Sequence, residues 1–174
     1  MTDNDYYAIT LFDNEGKLKH VFIDIKIRVK YPPKDIDNVT INVTNYQTVG
    51  AMVDTGATIC AISSRMVKIM KLKSYKEQKF HYAKGSNISP IYVFDVIFPK
   101  DKLFKNIDAV EIDDSHDCDF LIGMNILSQG DMALTWVDGK MAFSFRTPPA
   151  EKYIDFEYEL MKAKHPNKDF SSTI

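Results

Sequence analysis

Asp54, Thr55 and Gly56 interrupt an otherwise apolar stretch, Ala51-Met52-Val53 before them and Ala57-Thr58-Ile59-Cys60-Ala61-Ile62 after. Burying a lone charged carboxylate is costly unless it is paired, protonated or heavily hydrogen-bonded. Either Asp54 makes a local turn, as Asp before Gly often does, or its surroundings serve acid–base chemistry. One such chemistry is attack of water on a carbonyl without a metal or a covalent nucleophile. It needs a base to activate water and an acid for the carbonyl oxygen. Two carboxylates sharing one proton do both, because like charges about 3 Å apart cannot both ionise near neutral pH. Gly56 would let the backbone turn without a Cβ in a crowded site.

Only one such carboxylate turn is present. Asp138-Gly139 lies in Trp136-Val137-Asp138-Gly139-Lys140-Met141 and reads as a hairpin turn, while Gly130-Asp131 reads as a helix end. Other chemistries find no support. His20, His81, His116 and His165 lack metal-ligand spacing, so no metal is expected. The acidic run containing Asp113, Asp114 and Asp117 lacks the glycine and terminal glutamate of a calcium loop and reads as solvated. Cys60 has no motif partner for nucleophilic catalysis, and no glycine-rich phosphate loop occurs, so no cofactor is expected.

The elements around Asp54 are mostly extended. Residues 6 to 12 and 21 to 29 read as strands, the second alternating Val21, Ile23, Ile25, Ile27 and Val29 against Asp24, Lys26 and Arg28. Another strand is expected at 38 to 44. Residues 63 to 72 read as a helix capped by Ser63 or Ser64. Residues 79 to 98 read as two extended arms around a Gly85-Ser86-Asn87 turn, and 106 to 112 as a strand. Residues 119 to 131 read as an apolar strand running into a helical turn ended by Gly130. A hairpin over 132 to 145 turns at Asp138-Gly139, and a helix from near Pro149 runs to about Lys164. Short strands at close spacing with little helix predict an all-β domain, a small barrel or sandwich.

The 174 residues suit one domain with extensions, and 12% aromatic content supplies a sizeable core. A formal net charge of −2 gives no reason to expect a nucleic-acid or membrane partner. No apolar run nears the roughly 18 residues of a membrane span, and the first ten residues lack a signal peptide's pattern. A cytoplasmic protein is expected, with Cys60 and Cys118 as buried thiols rather than a disulfide.

Three features line up: Asp54-Thr55-Gly56-Ala57-Thr58, a glycine-containing hairpin about thirty residues later, and Phe120-Leu121-Ile122-Gly123 followed by a short helix. On these, residues 20 to 146 resemble the retropepsin-like aspartic proteases, the single-domain retroviral enzymes and their cellular relatives. The pentapeptide and Leu121-Ile122-Gly123-Met124-Asn125-Ile126-Leu127 are the specific anchors.

The resemblance implies a small closed acid-protease barrel with short helices and a C-terminal helix. Residues 1–147 would form the protease domain with its N-terminal strands, and 148–174 a helical extension. Asp54, Thr55 and Gly56 would be catalytic, with Thr55 bonding across a symmetry axis. Ala57 and the flap-tip residues Lys84, Gly85 and Ser86 would meet the substrate. Thr58 would orient the Asp54 carboxylate, and Ile122 and Gly123 would pack beside its loop. With one motif per chain, the second carboxylate must come from another copy, so a homodimer acting on extended polypeptide is expected. Met124 stands where retroviral enzymes carry Arg, and the extra terminal segments imply a differently built dimer interface. The rival reading is a non-catalytic dimeric peptide-binding module, which has no need to retain Asp54.

Overall fold

The computed structural model describes residues 6–13, 20–29, 46–82, 85–115 and 118–166. The strand expected at 38 to 44 lies outside them. Ten strands and three short helices are present among these residues: β1 Tyr7–Phe12, β2 Phe22–Arg28, β3 Tyr46–Val53, β4 Cys60–Ser63, α1 Ser64–Ile69, β5 Lys76–Tyr82, β6 Gly85–Phe98, β7 Lys102–Ile112, β8 Phe120–Ile122, α2 Met124–Leu127, β9 Asp131–Val137, β10 Lys140–Thr147 and α3 Phe156–Lys164.

Strands β2, β3, β8, β4, β7 and β6 run side by side, and β6 pairs back onto β2 to close a six-stranded barrel. The expected all-β barrel is what forms. From Val21 through β2, Val21, Ile23, Ile25 and Ile27 are buried while Phe22, Asp24 and Lys26 are exposed, the alternation a half-buried strand requires. Closure places Arg28 opposite Asp95, and the guanidinium donates to that fully buried carboxylate at 2.7 Å. Asp95 also accepts the Asn106 amide at 3.0 Å, so this buried charge is paired and hydrogen-bonded. β1, β10 and β9 form a second, three-stranded sheet. Phe145 of β10 packs against Phe98 and Phe104 of the barrel at 6.1 and 6.3 Å between ring centroids, so sheet and barrel share one core.

Local chemistry sets most boundaries. Ser63 caps α1, its hydroxyl accepting the Met66 amide at 3.2 Å. The helix ends at Ile69, short of the expected residue 72. Lys71 adopts φ 50°, and the Leu72 and Lys71 amides reach back to the Val67 and Lys68 carbonyls, a left-handed stop made without glycine. The β9–β10 turn has Asp138 at φ 51° and Gly139 at φ 74°, as expected for a tight primed turn.

Two boundaries differ from expectation. In the β5–β6 hairpin Tyr82 pairs with Gly85 and His81 with Ser86, so Gly85 and Ser86 belong to β6 rather than to a turn. Lys84 lies outside the described residues. The C-terminal helix begins at Phe156 rather than near Pro149. The Ala150 amide is bound to the Asp131 carboxylate at 2.7 Å, and the first effective cap is Asp155, which accepts the Tyr158 amide at 2.9 Å.

Candidate active site

β3 lies parallel to β8, with Val53 opposite Ile122, and ends where the chain turns at Asp54. The Asp54 amide donates to the Ile122 carbonyl at 3.0 Å, and the Ala57 amide to the Asp54 carbonyl at 3.3 Å. Within the turn, the Gly56 amide donates to Asp54 Oδ1 at 2.9 Å. The donor on the carboxylate is therefore backbone, and Thr58 stands exposed. A Cβ on Gly56 would sit 3.2 Å from Asp54 Oδ1, so glycine leaves that oxygen uncrowded. Asp54 itself is half-buried, and Thr55 and Gly56 are exposed. The turn is presented at the surface of the chain rather than sunk in its core.

A second turn braces the first. Gly123 follows β8, and the Met124 amide donates to the Ala57 carbonyl at 2.8 Å. A Cβ on Gly123 would lie 2.5 Å from the Ile59 carbonyl carbon and oxygen and 2.9 Å from the Ala57 oxygen. Close approach of two backbones, rather than an unusual φ, is what demands glycine here. Ile122 is fully buried, so both it and Gly123 pack beside the Asp54 loop.

Beneath this crossing lies Cys60, fully buried, its thiol pushed up to about 12 by burial. Its amide and its thiol both donate to Asn125 Oδ1, at 2.9 and 3.0 Å. The Gly123 amide donates to the Cys60 sulfur at 3.4 Å, and Asn125 Nδ2 donates to the Asp108 carbonyl at 2.8 Å. Reading the sequence alone missed Asn125. Its signal was a lone carboxamide inside an apolar run, Phe120 to Leu127.

On the face of β4 and β8 turned away from the barrel core, Ala61 and Leu121 are register partners. They cluster with Ile91, Val110 and Cys118, and Met52, Ile59, Phe80 and Ile112 pack against them. This apolar face runs from the flanks of Asp54 to the β5–β6 hairpin. A surface cavity of about 420 Å³ lies at the far end of β4, lined by Phe22, Gly50, Ser63, Arg65, Asp114, Cys118 and Asp119. Arg65 and Asp119 occupy it as an ion pair at 2.7 Å, and Asp54 is not part of it. Among the described residues, no group of three or more His, Cys, Asp or Glu side chains is placed to hold a metal. Among the same residues, no helix is long and apolar enough to cross a membrane.

Comparison with known proteins agrees with this geometry. Residues 38–129, more than half of the chain, match the family described as "gag-polyprotein putative aspartyl protease". None of the curated proteins matches. A retropepsin-like aspartic protease from Rickettsia conorii is similar in structure at 19% identity and TM-score 0.50, over 82% of this chain and 95% of that one. The retroviral protease-like domain of Ddi1 from Leishmania major is 15% identical with TM-score 0.41, over 70% and 90%. The simian foamy virus protease is 12% identical with TM-score 0.38, over 63% and 93%. With its motif matched in sequence and its barrel matched in structure, the chain belongs to the retropepsin-like aspartic protease family.

Proposed function

We propose that the protein is an aspartic endopeptidase that works as a homodimer, with one Asp54 carboxylate from each chain. The observation that carries this reading is the Asp54 turn itself. A half-buried carboxylate is held by a backbone donor, braced against Gly123, and turned to the surface where a second copy can face it.

The chemistry follows from the pairing. A water held between the two carboxylates loses a proton to the ionised one as its oxygen attacks the peptide carbonyl carbon. The protonated one gives its proton to the carbonyl oxygen, so charge does not accumulate in the tetrahedral intermediate. Collapse of that intermediate breaks the C–N bond, with a proton delivered to the leaving nitrogen. Thr55 is assigned to the contact between the two loops.

The substrate is an extended segment with apolar residues at the scissile bond, for which the partly exposed Met52, Ile59 and Phe80, packed over buried Ala61 and Leu121, are suited. The β5–β6 hairpin acts as the flap. Ala57, Lys84, Gly85 and Ser86 are assigned to substrate contact, and residues 148–174 to an extension of the protease domain. Support for a dimer comes from β9, which among the described residues pairs only with β10. Its Met132, Leu134 and Trp136 share one face and are 37, 46 and 63% exposed.

Asp54→Asn tests the reading, since an amide fills the same space but is no base. Cleavage of an unstructured protein should be lost while melting temperature stays near wild type. Activity within tenfold of wild type would move the chemistry elsewhere.

A further inference from the structure

We infer that Asn125 and Cys60 are positioning residues for Asp54, forming a carboxamide–thiol clamp that sets the spacing of the two crossed turns. The inference rests on the proposed catalytic role of Asp54 and extends it to residues that touch neither substrate nor water.

The clamp has a direction built into it. The Cys60 amide can only donate and the Asp108 carbonyl can only accept, so the side chain between them must accept on one side and donate on the other. A carboxamide does this. An aspartate at residue 125 would face the Asp108 carbonyl with a second acceptor, and a leucine would leave both partners unsatisfied in a part-buried place. The Cys60 sulfur also works in both directions, donating to Asn125 Oδ1 at 3.0 Å and accepting the Gly123 amide at 3.4 Å. Asn125 thereby joins β4 directly to β7, and through the sulfur both are tied to the Gly123 turn.

Gly123 is the other half of the active-site crossing. Its neighbours Ile122 and Met124 hold the Asp54 amide and the Ala57 carbonyl at 3.0 and 2.8 Å. Any shift of residues 122 to 124 therefore moves the Asp54 turn. In the chain, Cys60 follows that turn by only a few residues, so the clamp holds the loop from both of its ends. Misplacing a reacting group by about 1 Å can cost on the order of a hundredfold in rate, which is why such a device matters more to turnover than to folding.

Cys60→Ala and Cys60→Ser separate clamping from packing. Serine keeps a donor and an acceptor at the position, whereas alanine keeps only apolar contact. If Cys60 merely fills space, serine is the worse substitute. If it clamps, Cys60→Ser retains kcat within about threefold while Cys60→Ala loses at least about tenfold, with KM little changed in either. Amide hydrogen exchange at Asp54 and Gly123, in the same samples, should be faster in Cys60→Ala than in Cys60→Ser.

Equal kcat for the two folded variants, or a larger loss for serine, overturns the clamp. Where Cys60→Ala does not fold, Cys60→Ser decides alone: kcat retained supports the clamp, and a tenfold loss at native melting temperature overturns it. If the wild-type protein cleaves nothing, the catalytic reading fails separately. The clamp is then judged by exchange, and protection at Asp54 and Gly123 that is the same in both variants overturns it.

Discussion

The Asp54 amide donates to the carbonyl of Ile122 at 3.0 Å, binding the end of β3 to the end of β8. Through this bond the carboxylate turn inherits the rigidity of the barrel. Met124 returns a bond to Ala57 at 2.8 Å, so the two turns cross as a pair. Such a crossing anchors the carboxylate's own backbone on both sides, so the turn cannot shift without straining the barrel.

Gly123→Ala tests how tight the crossing is. The added Cβ would meet the Ile59 carbonyl at 2.5 Å, and a backbone cannot swing away as a flexible side chain can. Overpacking of this kind costs about 1–3 kcal/mol. Thermal melting should fall by the corresponding several degrees, and proteolysis should drop further than stability does. A variant that melts and cleaves like wild type would show the crossing to be loose.

The apolar row on β9 is where the proposed dimer would form. Leu134→Asp places a charge on a residue 46% exposed in the single chain, so folding should be little affected. Buried against a second copy, the same charge would be unpaired and costly. Sedimentation should show dissociation at concentrations where wild type is dimeric, with activity lost in parallel. Unchanged sedimentation would place the interface elsewhere, with α3 the next surface to test.

Alkaline pH should weaken the fold through Cys60. Burial raises its thiol from 9.0 to about 12, so the folded state disfavours the thiolate. Below the unfolded value both states keep the proton and the contribution to stability is full. Above it the unfolded chain ionises first, and stability drains away until the folded thiol also ionises. Tyr7, raised from 10.0 to about 12 by burial, acts in the same sense. Melting temperature should therefore decline between about pH 9 and pH 12, less steeply in Cys60→Ser. Equal slopes for the two proteins would mean that the thiol is not what titrates.

Elements governed by neighbouring residues were legible in the sequence. The alternation of Val21 to Ile27, the Ser63 cap and the Asp138-Gly139 turn each depend on chemistry within a few positions. The Asp54 and Gly123 turns were legible as motifs. What escaped was set at a distance or by an atypical residue. Lys71 stops α1 in a conformation usually signalled by glycine. Gly85 looked like a turn residue, yet strand register draws it into β6. The bond from Asp131 that holds Ala150 extended, and so delays α3, comes from 19 positions away. Asn125 meets Cys60 across 65 positions and Arg28 meets Asp95 across 67, and no local pattern announces either pair.

Whether two chains each supply one Asp54 to a single site is measured by mixing. Wild type and Asp54→Asn are combined at constant total concentration, allowed to exchange subunits, and assayed at several ratios. Hybrids hold one carboxylate and one amide and should be inactive. With random pairing, activity should follow the square of the wild-type fraction, about one quarter of the wild-type value in an equal mixture. Activity falling only in proportion to the wild-type fraction, to about one half in that mixture, would mean that each chain works alone and would contradict the shared site.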